Sequence, residues 1–296
     1  FIRFIRPLFF LALLIPLHAA HAEEKRTYAK STPMQVVVTV GMIADVVQNI
    51  VGGHAKVETI IGHGGDPHLY KPSPHDVRRL VNADFIFYNG LFLEGKMAEI
   101  LLSYNRSKPS IALGEAIDPT LLLKPLEFEG HYDPHLWMDV ALWSKVAHAA
   151  KSALVRFDPA RASVYEANEQ LYQKKLTLLD EYVRKTIASI PRSQRVLVTA
   201  HDAFHYFARA YDIEVKGIQG ISTESEAGLK DINSLVDFLV ERKISAVFVE
   251  SSVSQKNVMA LIEGAAARNH PLKIGGELYS DAMGAEGTPE GTYLGM

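Results

Sequence analysis

Between Pro159 and Pro191 the chain carries neither Gly nor Pro, and this stretch restricts the available folds more than any other. Over it Val164, Ala167, Leu171, Leu178, Tyr182 and Val183 recur at helical spacing. At a rise of 1.5 Å per residue the helix would run roughly 45 Å, enough to cross a whole domain. A long surface helix on a single domain would show the same pattern. A bridge is favoured because strand and helix signals alternate before it and resume directly after it.

Upstream, the run Val36 to Val40 reads as a buried strand closed by Gly41 and followed by the helical set Ile43, Val46, Val47 and Ile50. Further strands are expected at Val57 to Ile61, Phe85 to Tyr88 and Ser110 to Leu113, with helices around His75 to Val81 and Glu94 to Tyr104. Downstream, Arg195 to Thr199, Ile213 to Lys216, Ala246 to Glu250 and Leu272 to Ile274 form a second set of strands. The expectation is an α/β protein of two similar lobes, each a mostly parallel sheet flanked by helices, joined by one long rigid helix. In residue numbers this gives a first lobe over 34–158, a linking helix over 159–191 and a second lobe over 192–296.

Composition narrows the chemistry. With 296 residues, 48% of them hydrophobic and 22% charged, the chain is an ordinary globular one with material for one large or two medium domains. A net charge of −3 and the lack of any Lys/Arg stripe argue against a nucleic-acid partner. There is no cysteine, so thiolate metal ligands, disulfides and Cys nucleophiles are all excluded, and any metal falls to His and carboxylates.

Residues 1–22 resemble a secretory signal: Arg3 and Arg6, an apolar stretch from Leu8 to Leu17, then Ala20-His21-Ala22 as a cleavage site. The apolar stretch, broken by Pro16, is well short of the roughly 20 residues needed to span a bilayer. Removal of this segment takes the net charge from −3 to −5. With no cysteine to carry an N-terminal lipid, the expected product is a free periplasmic protein.

The tetrapeptide Asp-Pro-His-Leu occurs at Asp66 to Leu69 and again at Asp133 to Leu136, each followed by an aromatic, Tyr70 and Trp137. A stiff Pro ahead of an imidazole fixes the backbone that aims the ring, so the two copies read as two halves of one metal site. His68 lies in a loop beyond a strand, as binding residues of open α/β sheets do. His201 follows the strand before Thr199-Ala200-His201-Asp202, and Asp281 follows the strand before Leu278-Tyr279-Ser280-Asp281. Three imidazoles and a carboxylate suit Zn, Mn, Fe, Ni or Cu. Asp66, Asp133, Asp202 and Glu250 are candidates to orient the ligating rings. A lone His in a loop is more often merely solvated, and His54, His63, His75, His131, His148, His205 and His270 are read that way. Asn89-Gly90 is taken as a turn, and Gly90 to Glu94 as the start of a helix.

These motifs, with Thr39 to Asp45, Ala83-Asp84 through Leu91, Val198 to Phe204 and Gly275 to Gly284, resemble the metal-binding solute-binding proteins of ABC importers that take up zinc, manganese or iron. The resemblance runs through nearly the whole chain in family order. It implies that His68, His135, His201 and Asp281 hold one divalent ion between the lobes as transported ligand, zinc or manganese, with iron as a third candidate. It also implies a monomer that delivers the ion to a membrane permease driven by an ATPase, and no enzymatic reaction. Histidine in the third position tilts the choice toward zinc. The His-free stretch Leu121 to Gly130, where zinc-specific members often carry a His-rich loop, favours dual specificity. Family members usually continue into a C-terminal helix that the sequence through Met296 does not contain, so the second lobe is expected to be short of that element. Protonation of histidine is expected to weaken binding below about pH 6. Two rivals are a secreted zinc metallohydrolase, with Glu226 or Glu250 as general base at an open metal position, and a metal-dependent surface adhesin of the cell-adhesion type.

Overall fold

A computed structural model describes residues 27–30, 32–128 and 130–296; the expected signal peptide lies outside them. The first lobe is built on four parallel strands, β1 (Met34–Val38), β2 (Ala55–Thr59), β3 (Phe85–Tyr88) and β4 (Ser110–Ala112), in the order β2-β1-β3-β4. All four side chains of β3 are buried, which is why it reads as a continuous apolar run. Helices α1 (Gly41–Val51), α2 (Pro74–Asn82) and α3 (Ala98–Asn105) make the crossovers. The predicted Ile43, Val46, Val47 and Ile50 form the buried face of α1. A capping box starts α2: Ser73 accepts from the Asp76 N–H, Asp76 returns the bond, and Pro74 fills the first helical position.

Helix α4 (Val140–Phe157) leads into the long helix α5 (Ala162–Ala188), whose 27 residues span roughly 40 Å. The helix lies where the missing breakers place it, but on a different face. Leu171, Leu178 and Tyr182 point to solvent, while Tyr165, Glu169, Tyr172 and Leu176 are buried and Leu179, Val183 and Ile187 continue their row. The buried face contains tyrosines because their hydroxyls find acceptors: Tyr165 donates to Asp158 at 2.6 Å and Tyr172 to Asp45 at 2.8 Å. An apolar count along the sequence passes over such positions.

The second lobe carries β5 (Val196–His201), β6 (Glu214–Gln219), β7 (Ala246–Glu250) and β8 (Lys273–Leu278). They pair in parallel as β5-β6 and β7-β8, with β5 running beside β7. Its helices are α6 (His205–Tyr211), α7 (Leu229–Glu241) and α8 (Lys256–Ala266). Val198, Ala200, Ile218, Val236, Leu239, Val247 and Leu261 lie in its own core.

Two pieces that follow α5 in sequence pack into the other lobe. Phe204, Tyr206 and Tyr211 from α6 and its approach, with Met283 and Tyr293 beyond β8, belong to the core of the first lobe. Tyr206 donates to the Asp133 carbonyl at 2.9 Å and accepts from the Leu123 N–H at 3.1 Å. Tyr293 donates to the Trp137 carbonyl at 2.7 Å and lies against Trp143. Beyond β8 the described residues hold a 3-10 turn, Pro289–Gly291, and no α-helix. Among the described residues no helix is long and apolar enough to cross a membrane.

Candidate metal centre

Each Asp-Pro-His motif folds as a side-chain-closed turn. Asp66 Oδ1 accepts the backbone N–H of His68 at 2.9 Å, and Asp133 Oδ1 accepts that of His135 at 3.0 Å. Pro supplies a fixed φ and no competing N–H between them. A third device holds both turns. Glu94, expected at a helix start, is instead buried and accepts from Thr39 Oγ1 and from the N–H groups of Asn89 and Gly90. Asn89 then donates to the Pro134 carbonyl at 3.1 Å. Gly95, at φ 29°, runs so close to His68 that a Cβ would collide with the His68 carbonyl. Helix α3 therefore starts only at Ala98, after a 3-10 turn over Gly95–Met97.

His68 lies beyond β2, His201 is the last residue of β5, and Asp281 lies three residues past β8. His135 differs from expectation: it precedes a 3-10 turn, Leu136–Met138, at the approach to α4 rather than leaving a strand. The four side chains nevertheless converge, each between 0% and 1% exposed, with one ligand atom from each within 4.8 Å of the others. Asp281 Oδ1 lies 3.2 Å from His135 Nε2. Its Oδ2 lies 3.3 Å from His68 Nε2 and 3.2 Å from His201 Nε2. None of these five atoms has a hydrogen-bond partner.

Two of the rings are oriented from behind. Asp133 Oδ1 lies 2.8 Å from His135 Nδ1, and Glu250 contacts His201 Nδ1 with one oxygen while the other accepts the His201 N–H at 2.8 Å. Both rings therefore donate at Nδ1 and turn Nε2 inward. Asp66 holds the His68 backbone and not its ring, its second oxygen accepting from Thr223 Oγ1 at 2.6 Å, and Asp202 accepts from the Gly217 N–H without touching the His201 ring. Thr223 carries no motif and was not foreseen. His63 bonds to the Met283 carbonyl and His131 lies tilted against the Phe92 ring, so neither enters the cluster.

The charges reinforce one another. Burial opposes ionisation of Asp281, yet the His201 and His135 rings hold it well below the usual carboxylate range. Burial likewise opposes charging of His135, but Asp281 and Asp133 push it up to about 9. His201 is raised well above its ordinary value by Asp281 and Glu250 against the same penalty. Asp133, despite its burial, is held down to about 2 by His135 and His205. The chain thus confines positive charge beside Asp281, as protons or as a metal ion.

Replacing Glu250 with Gln leaves one oxygen where two N–H groups need acceptors. Glu250→Gln is expected to weaken metal binding by about 10- to 100-fold, read by competition against a chromogenic chelator; an unchanged affinity would show that the ring needs no such support.

Three imidazoles and a carboxylate sealed between two α/β lobes define a metal-binding protein of the two-lobed substrate-binding class. Residues 36–296 match the family model of ZnuA, the zinc-uptake complex component A, periplasmic, and the chain belongs to this family of metal-binding substrate-binding proteins of ABC transporters. Over 286 residues it is 47% identical to the zinc-binding protein TroA of Treponema pallidum, covering 97% of this chain and 92% of TroA. The solved structure of periplasmic TroA superposes with a TM-score of 0.87 at 48% identity, over 89% of this chain and 95% of that one. The manganese-binding lipoprotein MntA of Bacillus subtilis is 47% identical over 263 residues, 89% of this chain and 86% of MntA.

The names correct one expectation. MntA is a lipoprotein, as is the metal ABC transporter substrate-binding lipoprotein SsaB of Streptococcus sanguinis, 30% identical over 94% of this chain and 90% of its own length. The expectation of a free periplasmic protein without a lipid anchor is therefore withdrawn. A lack of cysteine in the sequence from Phe1 onward does not decide how such a chain is held.

Proposed function

We propose that His68, His135, His201 and Asp281 ligate one divalent transition-metal ion, zinc or manganese, which the chain carries to the permease and ATPase of its transporter. The observation that carries this reading is the set of five inward-facing, buried atoms without hydrogen-bond partners. Burying a carboxylate and three imidazole nitrogens unpaired is costly, and a cation at their centre removes the cost. The spacings suit an ion: ligands at about 2.0–2.2 Å around a tetrahedral metal stand about 3.3–3.6 Å apart, and the separations between Asp281 and the three rings are 3.2 and 3.3 Å.

The donor set is borderline and ranks zinc above manganese on intrinsic affinity. Both Asp281 oxygens face the rings, however, which offers a fifth donor and suits the higher coordination manganese takes. TroA is named for zinc and MntA for manganese, and each is 47% identical to the chain. The chain is read as dual in specificity. No reaction is assigned: Asp281 closes the position a hydrolytic water would need, Glu250 is committed to His201, and Glu226 lies on the surface. The lobes are taken as 34–158 and 192–296 joined through 159–191, with α6 and the segment from Met283 to Tyr293 packed on the first, in a protein acting as a monomer.

Metal analysis followed by competition titration of the metal-free chain tests this. One ion per chain, with zinc and manganese both displacing a shared probe, is expected. Absence of any stoichiometric metal would leave the motifs as structural turns.

A further inference from the structure

His205 was read as structural, and its surroundings say more. Buried Asp133 divides its two oxygens between two imidazoles: Oδ1 lies 2.8 Å from His135 Nδ1, and Oδ2 lies 3.1 Å from His205 Nδ1. An ionised carboxylate only accepts, so both rings donate at Nδ1. His135 then offers its Nε2 lone pair to the buried cluster, and His205 offers its own toward solvent. There Asp202 Oδ1 lies at 3.5 Å and Glu127 Oε1 at 3.8 Å from His205 Nε2, and the three ligand atoms fall within 4.8 Å of one another.

We propose that Glu127, Asp202 and His205 form a second, solvent-facing site for a divalent cation of the zinc class, joined to the buried cluster through Asp133. Two carboxylate oxygens converging on one imidazole Nε2 call for positive charge there, and a divalent cation among them makes all three contacts attractive. The wiring repeats that of the buried site, a carboxylate behind the ring and carboxylate oxygen in front. Glu127 comes from the 3-10 turn Leu126–Phe128 before the long helix, and Asp202 and His205 follow β5, so an ion here ties segments from either side of that helix. The Glu127 side chain is 54% exposed and free to close the few tenths of an ångström to zinc spacing. With three protein ligands and open water the site binds more weakly and exchanges faster than the buried one. Its place beside Asp133 suits a cation held at the rim.

Calorimetric titration of the full metal-free chain with zinc tests the proposal. Wild type is expected to show one tight event per chain and a second, weaker one. Glu127→Gln, a change on the surface and outside the buried cluster, weakens the second event at least tenfold and leaves the first unaltered. His205→Gln does the same to the second event, and in wild type the ¹⁵N resonance of His205 Nε2 takes its metal-bound shift only beyond the first equivalent of zinc. Asp281→Asn removes the tight event and retains the weak one, so a failure of the buried assignment is read separately. A single event in wild type, a weak event indifferent to both Glu127→Gln and His205→Gln, or its loss in Asp281→Asn overturns the proposal.

Discussion

Zinc at about 1,000 times its dissociation constant is expected to stabilise the chain by about 4 kcal/mol and raise its melting temperature by about 8–16 °C, and Asp281→Asn to abolish most of that shift. The variant keeps the shape of the side chain and removes the charge that faces all three rings. Loss of the carboxylate also removes the partner that holds positive charge on His135 and His201 in the metal-free state. Asp281→Asn therefore changes the metal-free protein as well, and the informative quantity is the difference between melts with and without zinc for each variant. A full zinc shift retained in Asp281→Asn would remove Asp281 from the ligand set.

The second large effect is on pH. Ligation requires neutral imidazoles, whereas in the metal-free chain His135 is pushed up to about 9 and His201 well above its ordinary value. Near pH 7 each incoming ion must displace about two protons, and affinity climbs about tenfold per pH unit for each proton displaced. Weakening thus begins below about 9, not below about 6, because Asp281 and Asp133 favour the protonated ring. Folding stability of the metal-free chain has the opposite slope. A folded value raised above the unfolded value of 6.5 gives stability that is complete below 6.5 and lost as pH rises through about 9. The metal-free melt is expected to fall between pH 7 and 9 while the zinc-loaded melt does not. Zinc titrations in buffers of different ionisation enthalpy count the protons released; a count of zero at pH 7 would refute the coupling.

The loops that bring His68, His135, His201 and Asp281 together were legible because they carry local signals. Asp-Pro-His is a turn whose side chain, ring and missing N–H act within three residues, and β-strand runs such as Phe85 to Tyr88 need only their own apolarity. Long-range partners were legible only as candidates. Glu250 and Asp133 were named among four acids, and nothing in their neighbourhoods shows that Asp66 reaches Thr223 or that Asp202 turns to Gly217. The buried face of α5 was misplaced for the same reason, since the hydroxyls of buried Tyr165 and Tyr172 are satisfied by Asp158 and Asp45, neither of which lies on that helix. Glu94 shows the limit most clearly: it sits in a loop where Leu91 and Phe92 take positive φ, and only the folded chain shows that its carboxylate gathers three donors.

Tyr293 fixes when the protein can finish folding. Its ring and hydroxyl complete the packing around Trp143 and Trp137, more than a hundred residues earlier in the chain. The first half emerges from the ribosome with a gap in its core that Tyr293 fills later. Contacts of such sequence separation are paid for in loop-closure entropy before they return any stability, so they form late. A nascent chain of this kind stays incompletely packed until Tyr293 has emerged, and damage near that residue is felt in the half made first.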